Sequence, residues 1–217
     1  MLFINVPFSE KDEAKSLGAK WNPERKKWFV EDKKNYPKFK KWILSDDEGG
    51  HMILCDHYYI VVGLHTCFKC KKQTEVIGFG IENFYEMYDV DEGDNDKGYE
   101  YYQNEIHIGS QLEPLPENML SYLNTKYKYY NGYSKTTDSN YFGNHCIHCG
   151  VLQGNWHIFD EVDSPFFIEN SEAASALKLF KVTLKEDFKA SCEIGYGSED
   201  YLIKKCAQIT SFDEKLL

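Results

Sequence analysis

The residues best suited to chemistry in this chain are two pairs of cysteines. Cys67 and Cys70 lie in HTCFKC, residues 65–70, and Cys146 and Cys149 lie in NHCIHCG, residues 144–150. Two thiols with two residues between them share one short turn that aims both sulfurs inward. Each pair is therefore half of a metal clamp, or a redox pair. Two such turns complete a tetrahedral sulfur shell, which suits zinc. Gly150, directly after Cys149, lets the chain turn tightly while backbone amides face the sulfurs. The spacing predicts one structural Zn2+ held by Cys67, Cys70, Cys146 and Cys149. A thioredoxin-type redox pair fits less well, because neither CxxC opens a helix in a βαβ unit. Two separate sites using His65, or His145 and His148, are the remaining arrangement. Otherwise these histidines are solvent-facing neighbours of the knuckles.

A common four-cysteine ribbon joins its pairs through about 15–20 residues, whereas residues 71–145 intervene here. Closing a longer loop costs only about 0.6 kcal/mol per doubling of its length. A structural zinc contributes about 10–16 kcal/mol in small peptides, so the connector is tolerable. Four thiolates leave no open coordination position; such a centre holds a fold together and does not activate water. HExxH, HxE ahead of PCxxC, GxSxG and GxxxxGK[ST] are all missing from the chain. No catalytic set is recognised, and an enzyme is not the expected function. Cys55, Cys192 and Cys206 read as small buried apolar residues.

The elements that must position these residues are legible in part. LFINV, residues 2–6, alternates like a strand. Ser9 can cap a helix that carries Ala14 and Leu17 on one side, and Gly18 stops it. AKW and WFV, separated by a turn at Asn22-Pro23, make a strand pair. Tyr36, Phe39 and Ile43 fall at helical intervals. Residues 1–44 thus form a βαββα module, and the acidic run 45–50 reads as a linker. In the remainder, 51–217, YYIVVG and TEVIGFG flank the first knuckle as a hairpin, and EIHIGSQL alternates as a strand. PENMLSYLNTKY has the spacing of a helix, with Leu120, Leu123 and Tyr127 on one side. Asn131-Gly132 marks a hairpin turn or a helix stop. LQGNWHIF is strand-like, and Ala173, Ala176, Leu177 and Phe180 suggest a helix over 171–182. Asp94, Asp96 and Glu105 only loosely echo a calcium loop, since the required glycine is missing.

The stretch KDEAKSLGAKWNPERKKWFV fits the pattern K-x-x-A-K-x-L-G-A-x-W-[DN]-P-x-x-K-x-W-[YF]-V. It resembles the family called domain of unknown function 5710, over about residues 2–43. Members of that family often accompany primase-like or antirestriction-like parts of mobile elements, so the resemblance implies a nucleic-acid setting. It implies no active residues. The segments around the two knuckles, with Gln153-Gly154-Asn155 after the second, are similar to an uncharacterised bacterial zinc-ribbon type. That likeness implies pairing of the two CxxC turns in one site.

Charge divides the chain in the same place. Its net charge is -10, yet residues 1–43 hold eleven basic side chains against six acidic ones. A basic head on an acidic body can meet a polyanion or dock on its own body. Lys15, Lys20, Arg25, Lys26 and Lys27 lie near Trp21 and Trp28 in sequence. Cations neutralise phosphates and an exposed indole stacks on a base. For the tryptophans, packing under the helix is the favoured reading. The N-terminus lacks a signal peptide, and the longest apolar run is far too short to span a bilayer. The cytoplasm is the expected compartment, with its cysteines reduced.

The expected protein is α+β: a small basic βαββα module followed by a larger acidic, zinc-ribbon-like α+β domain. The leading function is a non-catalytic binding or adaptor protein whose basic module faces DNA or RNA. The alternative is a protein-interaction factor, an immunity or regulatory protein, that binds through its acidic, Tyr-rich domain.

Overall fold

The computed structural model describes residues 1–44, 52–89 and 97–217. The linker expected at 45–50 lies outside the described residues, as do Asp94 and Asp96 of the calcium-like run. Helices and strands are mixed along the chain, which makes the protein α+β. No helix among the described residues is long and apolar enough to cross a membrane. Backbone packing groups the chain into two compact units. One comprises Met1–Asp56, Asn83–Tyr102 and Leu184–Ala190; the other comprises His57–Glu82, Gln103–Thr183 and Ser191–Leu217.

The first unit begins with the βαββα order. Strand Leu2–Ile4 pairs antiparallel with Lys27–Val30, which pairs in turn with Lys20–Asn22. The Asn22 side chain accepts hydrogen bonds from the Glu24 and Arg25 N–H groups, at 3.0 and 2.9 Å. Lys26 then takes a left-handed φ of 52° to close the hairpin. Helix Lys11–Ser16 buries Ala14, and Gly18 ends it with a φ of 103°. Leu17 falls just past the helix and is partly exposed. The expected cap at Ser9 does not form. Pro7, its φ fixed near the helical value, starts a 3-10 turn at Phe8–Glu10, and Glu10 precedes the helix without capping it. Residues Lys33–Phe39 form a 3-10 turn capped by Asp32 that runs into helix Lys40–Leu44. Tyr36, Phe39 and Ile43 are buried, as their spacing requires.

This core is completed from later in the chain. Ile53, Cys55 and Tyr85 join Leu2, Ile4, Tyr36 and Phe39 in one cluster. Asp187 is buried, accepts from the Tyr36 hydroxyl, and accepts from the Asp56 N–H at 2.9 Å. The basic N-terminal stretch therefore docks on residues of the acidic sequence within this unit.

The second unit is built on a sheet. Its strand order is Gln208–Ser211, Lys178–Thr183, His57–Thr66, Gln73–Ile81, His107–Glu113, then residues 191–194. The first pair is parallel and the others are antiparallel. Tyr59, Val61, Val76, Ile108, Leu179 and Ile203 share its core. Helix Glu117–Tyr127 buries Met119, Leu123 and Tyr127. Lys128, with a φ of 58°, ends it, so Asn131-Gly132 is neither a helix stop nor a turn. The two residues lie inside strand Tyr129–Ser134, opposite Phe142 and Tyr141 of strand Ser139–Asn144. Glycine is there for close packing, because a Cβ at Gly132 would sit 2.5 Å from His145 Nε2.

Two further expectations are corrected. Only Ser171–Ser175 is helical in 171–182, because Lys178–Thr183 pairs with a strand on each side. Residues 156–160 coil as a short π-helix rather than extending as a strand. Asn155 starts that coil, its carbonyl accepting from the N–H groups of both Ile158 and Phe159.

Candidate metal centre and basic groove

The first knuckle tops the hairpin of His57–Thr66 and Gln73–Ile81, whose last pair is Thr66 with Gln73. The second follows strand Ser139–Asn144 and is closed by a bridge between His145 and Leu152. Their backbones repeat one another. The Lys71 N–H donates to the Cys67 carbonyl and the Gly150 N–H to the Cys146 carbonyl, both at 2.9 Å. The Cys67 N–H donates to the Lys72 carbonyl at 3.0 Å, and the Cys146 N–H to the Val151 carbonyl at 2.9 Å. Both turns need a left-handed residue four places after the first cysteine. Gly150 supplies it with a φ of 68°, as expected, and Lys71 with a φ of 61°.

All four sulfurs lie within 4.8 Å of one another. Cys67 Sγ is 3.7 Å from Cys149 Sγ, and Cys70 Sγ is 3.6 Å from Cys146 Sγ. A tetrahedron of thiolates at metal–sulfur distances of about 2.3 Å has edges of about 3.8 Å. The sulfurs thus surround a space the size of one ion, and the four cysteines can hold a metal. Amide donors turn toward them. The His148 N–H donates to Cys146 Sγ at 3.4 Å, and buried Gln153 Nε2 to Cys67 Sγ at 3.6 Å. Burial opposes ionisation of Cys67, but the Cys70 and Lys69 N–H groups and the thiols of Cys146 and Cys70 bring it down to about 6. Cys149 is drawn down by the Val151 backbone, yet burial and the three other thiols push it up to about 11. A cation among the sulfurs would favour their thiolate forms.

The long connector is overcome by polar contacts between the second knuckle and the strand leaving the first. Asn144, almost fully buried, binds both backbone groups of Ile77. The Ile147 N–H donates to Thr74 Oγ1 at 3.1 Å, and His148 Nε2 donates to the Gln73 carbonyl at 2.9 Å. The histidines add no ligand to the cluster. His148 is exposed, as expected, but His145 is buried rather than solvent-facing. Its ring stacks on Tyr130 at 3.7 Å, and burial lowers its basicity. His65 is half-buried. Cys55 and Cys192 are buried, and burial pushes both thiols well above their ordinary value.

In the first unit, the Trp21–Trp28 cross-strand pair continues the row begun by Ile4. Directly paired residues share a sheet face, and along this row burial runs out. Ile4 is 4% exposed and Trp28 is half-buried, while Trp21 is 49% exposed. Packing under the helix is therefore corrected for Trp21, whereas half-buried Trp28 packs against the core: the core face continues past its cover at the edge strand. The two indoles meet edge-to-face at 5.6 Å and line a cavity of about 720 Å³. Lys26 and Lys27 line it too, with Phe8 and Lys11, which sequence reasoning missed. Nothing in the sequence distinguishes Phe8 from a core residue, yet it is 81% exposed, with Lys11 Nζ 3.9 Å from its ring centre.

Residues 1–43 match a known family, described as a domain of unknown function (DUF5710). A DNA primase TraC of Escherichia coli is 50% identical over 40 residues, 18% of this chain and 3% of that protein. A second Escherichia coli DNA primase TraC is 45% identical over 40 residues, 18% of this chain and 4% of that protein. The chain thus spans only a small fraction of these relatives' length. No solved structure matches it. Within the DUF5710 segment the basic residues differ in commitment. Lys20 pairs with Glu31, and Arg25 lies 2.5 Å from Glu186 and over the Phe3 ring. Lys15 is exposed, away from the groove. Among the described residues Lys26 and Lys27 make no ion pair, and no acidic side chain lines the DUF5710 groove.

Proposed function

We propose that the protein is a non-catalytic, zinc-stabilised nucleic-acid-binding or adaptor protein, cytoplasmic, whose DUF5710 segment touches DNA or RNA. The observation that carries this reading is the half-exposed Trp21, set in a groove with Trp28, Lys26 and Lys27, the two lysines making no ion pair among the described residues. Phe8, Trp21 and Trp28 line one cavity, and contiguous apolar surface of this kind marks an interaction site. Lysines around it, with no acidic side chain lining it among the described residues, select an anionic partner. The likeness of this segment to part of two DNA primases supports a nucleic-acid setting.

In this reading the ion is Zn2+, bound by Cys67, Cys70, Cys146 and Cys149 in a ribbon-like centre. Four sulfur donors suit zinc and leave no place for a reacting water, so the ion cross-links the second unit. The test is fluorescence anisotropy of a labelled oligonucleotide titrated with the full chain across a salt series. The reading predicts binding at low salt that weakens steeply and log-linearly as salt rises. Absence of binding at low salt would contradict it and turn attention to a protein partner for the acidic unit.

A further inference from the structure

We infer that the groove beside Trp21 receives unpaired bases, so that the nucleic acid bound is single-stranded. This rests on the nucleic-acid reading above and goes further, because a basic surface alone binds duplex and single strand alike. The walls carry the distinction. Phe8 and Trp21, both exposed, line one cavity together with the apolar residues Ile4 and Val6. A duplex keeps its base faces stacked inside and offers only edges and phosphates. Aromatic faces beside cations are the means by which single strands are held, each base laid on a ring and the backbone met by lysines.

The lysines are arranged to match. Lys26 projects from the left-handed position of the hairpin turn, and Lys27 opens the central strand next to Trp28. Among the described residues neither is held by a carboxylate, whereas Lys20 and Arg25, a few residues away, both are. Lys11 lies over the Phe8 ring, which is still 81% exposed. The cavity, about 720 Å³, falls within the range of pockets that enclose small ligands, roughly 300–1,000 Å³. It is a receptacle for bases, and the rest of a strand must run along the surface.

The test uses the full chain and four fluorescein-labelled probes of equal length: an oligothymidylate, an oligouridylate, an abasic deoxyribose strand, and a duplex. The inference predicts that the oligothymidylate or oligouridylate binds at least about five-fold more tightly than the abasic strand or the duplex. The tighter of the two identifies DNA or RNA as the source. Trp21→Ala and Phe8→Ala should each erase that advantage, and Trp21→Phe should restore most of it. Circular dichroism checks that the variants fold; Phe8, the more exposed, remains informative if Trp21→Ala does not. Equal binding of all four probes would overturn the inference while leaving the nucleic-acid reading standing. Failure to bind any of them at low salt would overturn both.

Discussion

Asn144 holds Ile77 by both of its backbone groups, accepting from the N–H at 2.7 Å and donating to the carbonyl at 2.8 Å. The side chain thus imitates a neighbouring strand. It sits just before the second knuckle, and Ile77 lies on the strand that leaves the first. The two cysteine pairs are therefore set opposite one another by the fold, and an ion bound there would complete an arrangement already in register.

Replacing that side chain should loosen the centre. Asn144→Ala leaves the Ile77 N–H and carbonyl buried without partners, at a cost of roughly 1–3 kcal/mol for each group. The expected outcome is a second unit destabilised by about 2–6 kcal/mol, with weaker metal affinity. Urea unfolding with and without chelator, followed by competition with a zinc dye, measures both. Unchanged stability would show that Asn144 does not bind the knuckles together.

Acid should act on the second unit through Glu82. Burial favours its neutral form, but the Lys204 ammonium, the Tyr59 hydroxyl at 2.7 Å and His57 Nε2 at 2.8 Å outweigh burial and hold it at about 2, below the ordinary 4.5. A carboxylate with a depressed native value contributes stability above its unfolded value. That contribution is lost as pH falls toward the native value. Stability should therefore decline between about pH 4.5 and 2. Thermal melts of Glu82→Gln should start from a lower Tm at neutral pH and show a flatter profile across that window. A variant with the wild-type profile would assign the acid sensitivity to other groups.

The lysines of the groove should separate by their commitments. Lys26→Gln and Lys27→Gln should each weaken oligonucleotide binding and reduce the log-affinity against log-salt slope by about 1. Lys20→Gln and Arg25→Gln should change the slope less, since Glu31 and Glu186 already neutralise those charges. The salt series described for the wild type measures all four. Equal losses at all four positions would mean that binding follows the charge of the whole segment and not the groove.

The sequence exposed the features whose causes are local. Two cysteines on one turn impose their own geometry, so the knuckles and the role of Gly150 were readable before any coordinates. So were the hairpin around the first knuckle and the buried row of Tyr36, Phe39 and Ile43. Features decided by distant neighbours were not. Asn131-Gly132 has the chemistry of a turn, but the His145 ring packs against the glycine and Tyr129–Ser134 runs through it as a strand. Packing under the helix is the expectation for both Trp21 and Trp28, yet nothing local to Trp21 says that the cover ends before it. Residues 184–190 join the core of the N-terminal unit through contacts such as Asp187 with Tyr36. A separation of that size leaves no trace in local sequence.

The account turns on a single ion shared by sulfurs from both knuckles. Elemental analysis of the purified full chain, beside Cys67→Ser and Cys146→Ser, tests it most directly. The prediction is about one zinc per wild-type chain, loss of zinc from either variant, and a second unit that unfolds at lower denaturant in both. Zinc retained in full by either variant, or a wild-type chain that binds none when zinc is supplied under reducing conditions, would contradict it.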